Sequence, residues 1–228
     1  MTELAHEGTG YEVVEEEPPE VLARNLSSAG YLLAGATSFF FLSFVFAYFY
    51  LRALNSAHLW KPKGVDASVG WGTAVMVCIV LSAVLVRWGA IDQRAGRRPA
   101  WRVKGLLALL LGIGALVVQV LAWTHQDFGP TDGGFASVYF GWTAFFFLFV
   151  FGAMFWLETV LATSYRYRAL ASESMPVPSG EGSGDPHRSG QDIRNPVALN
   201  TAELAALGFY WMFLAGLAVL TWIILYLL

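Results

Sequence analysis

Five apolar stretches, residues 29–54, 69–90, 103–123, 135–162 and 204–228, fill most of this 228-residue chain. A hydrocarbon layer about 30 Å thick is crossed by a helix of about 20 apolar residues. Each stretch meets that length. Lipid offers no partner to an exposed backbone N–H or C=O, so a spanning segment must be a helix or belong to a closed barrel. Barrel strands are shorter and alternate apolar with polar residues, which these stretches do not do. The chain is therefore predicted to be all-α, an integral membrane bundle of five transmembrane helices. Its composition agrees: 56% hydrophobic, 15% aromatic and 14% charged, where a soluble domain carries about 25% charge.

The polar segments divide the chain into an acidic cytoplasmic tail (1–28), helices one to four (29–166), a flexible cytoplasmic linker (167–199) and helix five (200–228). Seven glutamates, Glu3, Glu7, Glu12, Glu15, Glu16, Glu17 and Glu20, crowd the tail. That is too acidic for a secretory signal, which needs a basic start and an apolar run. The linker is rich in Ser, Gly and Pro. Asn200 with Glu203 three residues on reads as a capping box opening the last helix. Gly129-Pro130-Thr131-Asp132-Gly133-Gly134 reads as a tight turn.

Orientation follows from lysine and arginine. The tail, second loop and fourth loop carry Arg24, Arg87, Arg94, Arg97, Arg98, Arg102, Lys104, Arg166, Arg168, Arg188 and Arg194. The opposite side has Arg52, Lys61 and Lys63, so the balance is eleven against three. The N-terminus is expected in the cytoplasm and the C-terminus outside.

Little inside the spans can do chemistry. His6, His58, His125 and His187 all fall in tails or loops. A membrane haem needs histidines projecting from helices into the bundle, and histidines in separate polar segments do not form a metal site. No metal, haem or catalytic residue is expected in this chain. Cys78, the single cysteine, reads as a small apolar residue. Glu158 is the one acid within an apolar span. It reads either as a partner-contact or proton-relay carboxylate or as an interfacial group paired with Arg166 or Arg168. Gln119, Thr37, Ser38, Ser43, Ser82, Ser137 and Thr143 can hydrogen-bond neighbouring helices, each such bond averaging under about 1 kcal/mol. Gly112, Gly114, Gly141 and Gly152 allow close helix contacts. The aromatic rings of helices one and four surround their helices, so some must face lipid and some a partner. Trp60, Trp71, Trp88, Trp101 and Trp123 sit at span ends and read as an interfacial belt.

Three blocks of residues resemble subunit III of the haem–copper oxidases. The first runs Phe39-Phe40-Phe41-Leu42-Ser43-Phe44-Val45-Phe46-Ala47-Tyr48-Phe49-Tyr50-Leu51-Arg52, followed by Trp60 and Pro62. It is similar to the family's aromatic helix ending in an Ala-Tyr-Phe…Arg run. The second is Asp132-Gly133-Gly134-Phe135-Ala136-Ser137-Val138-Tyr139-Phe140-Gly141-Trp142-Thr143, preceded by a helix bearing Gln119. The third is Tyr210-Trp211-Met212-Phe213 with Trp222 and Tyr226, similar to the family's closing Tyr-Trp-His-Phe helix. The resemblance covers roughly residues 30–228 and corresponds to the shorter, five-helix members.

The departures are specific. The family's membrane-buried glutamate would fall near Thr37 or Ser38, where no carboxylate stands. Phe146 and Phe149 replace two histidines, Met212 a third, and Ala215 an aspartate. The resemblance therefore implies a divergent subunit without catalytic residues, which stabilises the core of a bacterial terminal oxidase and binds phospholipid. That complex reduces oxygen to water and pumps protons. Its haem and copper would sit in partner subunits I and II, and no nucleic-acid partner is expected. Ser137, Thr143, Gln119 and Glu158 are the candidate lipid or partner contacts. The competing expectations are the small subunit associated with nitric oxide reductases, a stand-alone transporter, and an assembly factor. A transporter would need polar or broken helices at mid-depth, and the spans hold no proline.

Overall fold

The computed structural model describes residues 19–55, 59–173 and 196–228, with side chains placed at 21, 24–55, 59–165 and 201–228. Five helices follow one another: α1 Pro19–Ala53, α2 Val69–Arg94, α3 Arg98–Thr124, α4 Gly134–Glu173 and α5 Pro196–Trp222, the last continuing into a π-helical turn, Ile223–Leu227. Among the described residues there is no strand. All five are long and apolar enough to cross a membrane.

The helices overrun the apolar stretches at the arginine-rich end, which corrects three boundaries. α1 begins at Pro19 rather than residue 29, and α4 runs on to Glu173. Ala, Leu, Glu and Arg, good helix formers that need no lipid, make up half or more of each overrun. Proline opens α1 and α5 at the first helical position, where its missing N–H costs nothing. α5 therefore starts at Pro196, and Asn200 and Glu203 lie inside the helix rather than capping it. Tail residues 1–18 and linker residues 174–195 lie outside the described residues, as do the Arg166 and Arg168 side chains.

Lipid tails are as apolar as leucine, so close packing and hydrogen bonds, rather than escape from water, hold such helices together. α5 is the central element. It packs on α1, α2 and α4, while α2 packs on α3, and α4 on both α1 and α3. Half of the apolar stretch of α5 is buried (50%), against 22% for α1. Small residues admit large neighbours along these contacts. A Cβ at Gly89 would stand 2.4 Å from the Trp101 ring, and one at Gly72 2.3 Å from the Tyr226 ring. Gly112 meets Met154 and Gly141 meets Phe44, whereas Gly114 and Gly152 have nothing within 4 Å.

Trp101 and Trp60 correct the belt expectation, being 0% and 8% exposed. Trp101 fills the gap that Gly89 and Gly105 leave between α2 and α3. Trp60 stacks edge-on against Tyr48 at 5.1 Å and Phe135 at 5.9 Å. Trp71 and Trp123 are half-buried, and Trp88 is exposed. Cys78 is half-buried and free.

Each end of the bundle is closed by polar contacts. At the arginine-rich end the buried Asp92 carboxylate accepts from Arg97 Nη2 at 2.6 Å and pairs with Lys104. Arg102 there reaches Ser164 of α4. At the other end the loop after α1 caps α4: Gly134 N–H donates to Leu59 O at 3.1 Å and Phe135 N–H to Trp60 O at 2.8 Å. Two of the amides that a helix start leaves unpaired are thereby satisfied. The expected turn precedes them, with Gly129 N–H donating to Asp132 Oδ2 at 2.6 Å. Gly133 has φ +140°, and a Cβ there would stand 2.7 Å from Pro62.

Gly89→Ala is expected to lower the unfolding midpoint in detergent, at a cost of about 1–3 kcal/mol from overpacking against Trp101. Gly114→Ala should leave it unchanged or slightly raised, since alanine is the better helix former. Equal effects of the two would contradict this packing.

Candidate functional site

The interior of the bundle carries a set of hydrogen bonds between helices, four of them from an indole N–H to a hydroxyl. Tryptophan is a bulky apolar residue with one obligatory donor. Buried in lipid or protein, that donor needs an acceptor. Threonine and serine supply it to Trp123, Trp142, Trp211 and Trp222, whereas the buried Trp101 Nε1 has no acceptor among the described residues.

Trp211 Nε1 of α5 donates to Ser82 Oγ of α2 at 3.0 Å, and Ser82 Oγ donates onward to Ala108 O of α3 at 2.8 Å. One hydroxyl thus joins three helices, and it is 0% exposed. Nearer the other end, Trp142 of α4 donates to Thr221 of α5 at 2.9 Å, Trp222 of α5 to Thr73 of α2 at 2.9 Å, and Trp123 of α3 to Thr143 of α4 at 2.9 Å. α1 is tied by Thr37 Oγ and Tyr210 Oη of α5, 3.1 Å apart. The phenols of Tyr139 and Tyr226 approach to 3.4 Å, and Gln126 Nε2 donates to Tyr139 Oη at 3.3 Å.

The expected polar positions therefore divide. Thr37, Ser82 and Thr143 do bond across helices. Ser38 and Ser43 instead donate to carbonyls of their own helix, Ala34 O and Phe40 O. In an apolar helix the carbonyl a turn earlier is the nearest acceptor for a hydroxyl that faces outward. Thr73 and Thr221 belong to the network without having been singled out, and Tyr139, Tyr210 and Tyr226 had been named only within the resembling blocks. For the two threonines the signal was the number of tryptophans, whose N–H groups call for acceptors when buried.

The four candidate contact residues do not form one site. Gln119 and Thr143 are 4% and 2% exposed, covered by the chain's own helices. They line one small pocket together. Ser137 is exposed in the first turn of α4, where its Oγ donates to Pro130 O at 2.7 Å. Glu158 is exposed on the outer face of α4, among the exposed rings of Phe151 and Phe155. It stands about 9 Å along the helix axis from Ser164, the partner of Arg102. His125 Nδ1 contacts Leu121 O at 2.8 Å in an exposed loop, and His6, His58 and His187 lie outside the described residues. Among the described residues no three of His, Cys, Asp and Glu come together as a metal-ligand set.

Exposed side chains differ from face to face. On α3 they are aliphatic along the membrane, from Val103 through Leu106, Leu110 and Ile113 to Val117. On α1 and α4 they are largely aromatic, including Phe39, Phe46, Phe49, Phe145 and Phe151. Behind the latter surface, Phe40 and Phe44 of α1 interlock with Phe145 and Phe149 of α4 at 4.9–5.8 Å between ring centres.

Fold and interior together define a multi-pass α-helical membrane protein whose core is cross-linked by hydrogen bonds. No protein-family model matches this chain, and no curated protein matches it either.

Ser82→Ala, which strands the Trp211 N–H, and Thr221→Val, which strands that of Trp142, are each expected to cost about 1–2 kcal/mol. That is the upper range for interhelical hydrogen bonds in bilayers. Ser43→Ala, an exposed site, should stay within about 0.5 kcal/mol. Thermal unfolding of the purified variants in one detergent checks the ranking.

Proposed function

We propose that this chain is the third, non-catalytic subunit of a bacterial haem–copper terminal oxidase, in the five-helix form. The single observation that carries the reading is that its three family-like blocks pack on one another. Phe41 of the first block lies 6.2 Å from the Trp142 ring of the second and 6.1 Å from Phe146. Tyr210 of the third meets Thr37, just ahead of the first. Tyr226 reaches Tyr139 of the second.

The interior chemistry supports a structural role. Among the described residues the buried charged side chains are Asp92 and Arg102, both at the arginine-rich end. The positions where the family carries histidine or carboxylate hold Phe146, Phe149, Met212, Ala215 and the uncharged Thr37 and Ser38. A bundle so furnished can stabilise a neighbour and hold lipid between them. In this reading oxygen reduction and proton translocation belong to partner subunits I and II, which carry the haem and copper. The arginine-rich end faces the cytoplasm of a bacterial cell membrane, and phospholipid fills the seams. The aromatic face of α1 and α4, with Glu158, is the surface offered to the partner. A carboxylate at that depth is costly against lipid and is better placed against a donor on another helix.

Purification in mild detergent through an N-terminal tag tests the assignment. Large multi-span subunits are expected to co-elute in fixed ratio with this chain, and elution of this chain alone would refute it. Glu158→Lys is expected to cut partner recovery by roughly tenfold, equivalent to about 1.4 kcal/mol. A Leu110→Lys change on the aliphatic face is the control: recovery of partner per folded chain should not change.

A further inference from the structure

Where four helices come together, a small pocket remains. Gly72 of α2, Gln119 of α3, Thr143 of α4 and Thr221 with Tyr226 of the last helix line it. The space open to the centre of a water molecule is about 20 Å³, and about 10–15 Å³ suffices for one water. The Gln119 side chain is buried, and its Nε2 has no acceptor among the described residues. It stands beside the Tyr139 hydroxyl without reaching hydrogen-bond geometry. Val75, Met76, Phe146 and Ala218 make most of the remaining wall apolar, so an amide donor stranded here is expensive, and the Gln119, Thr143 and Thr221 groups on that wall give a water the polar partners that a dry cavity lacks.

We propose that the pocket is a water-binding site joining α3, α4 and α5. The donor and acceptor inventory fits one molecule. Thr221 Oγ accepts from Trp142 and still carries its own proton. Thr143 Oγ accepts from Trp123 and donates to Tyr139 O, which leaves it one lone pair. A water that accepts from Gln119 and Thr221 and donates to Thr143 makes three hydrogen bonds, the usual number for a buried water. Exchanging O and N of the Gln119 amide preserves the site, because water serves either end. The water would extend the direct indole–hydroxyl bonds into one continuous junction. α3 and α5, which share no direct bond at this level among the described residues, would be linked through it.

A cryo-electron microscopy map of the full chain, purified with whatever subunits accompany it, tests the site, at a resolution where other buried waters are visible. The expected result is a peak about 2.7–3.2 Å from Gln119 Nε2 and from the Thr143 and Thr221 oxygens. In Gln119→Leu the peak should vanish while the Trp123–Thr143 and Trp142–Thr221 bonds remain. A wild-type pocket without a peak overturns the proposal. So does a Gln119 amide bonded to a protein group instead, or a peak that persists in Gln119→Leu. The wild-type map decides even where the variant fails to fold.

Discussion

The hydroxyl of Ser82 is the smallest object on which the arrangement depends. It takes the Trp211 N–H from α5 and gives its own proton to Ala108 of α3. Without it an indole donor would be stranded in an environment that has no water to offer. Its position lets Trp211, 1% exposed, sit between helices, and so lets α5 occupy the middle of the bundle. The same solution recurs at Thr221, Thr73 and Thr143. Each pairing is directional, so together they set the rotation of α2, α3, α4 and α5 about their axes. Apolar packing alone specifies that rotation weakly, because one leucine surface fits another in many ways.

This construction holds the helices together with the buried charges Asp92 and Arg102 confined to the arginine-rich end. The aromatic layer between α1 and α4 adds contact area, and the loop carbonyls of Leu59 and Trp60 close the start of α4. The charged contacts gather at the arginine-rich end, where Asp92 binds Arg97 and Lys104. A bundle of this kind suits a subunit that supports another. Its core is built mainly of contacts between its own helices, and its variety lies on the outer faces. The exposed face of α3 is aliphatic, whereas α4 exposes rings and the Glu158 carboxylate.

Much of this was legible in the sequence, because lipid admits few solutions. Stretches of about 20 apolar residues imply spanning helices, and all five were found. The turn at Gly129–Asp132 followed from its residues alone. What the sequence did not give directly was partnership. Trp101 and Trp60 stood at the ends of apolar stretches, where an interfacial ring and a core ring look alike. Only the neighbouring Gly89, and the fold-back of the loop before Pro62, distinguish them. Ser38 and Ser82 have the same chemistry, yet one turns back on its own helix and the other joins three. That depends on which helix faces it, which no local pattern encodes. Helix ends ran past the hydrophobic edges because helix propensity and membrane thickness are independent constraints. Asn200 and Glu203 resembled a cap for the same reason: the spacing was right, but Pro196 had already started the helix.

The central claim is that this bundle belongs to an oxygen-reducing haem–copper assembly, and the most direct measurement is optical. The assembly purified through this chain is reduced and its difference spectrum against the oxidised form recorded, alongside oxygen consumption. The account predicts haem bands in stoichiometric amount and oxygen uptake driven by cytochrome c or quinol. Haem bands with consumption of nitric oxide but not oxygen, or a colourless preparation, would contradict it.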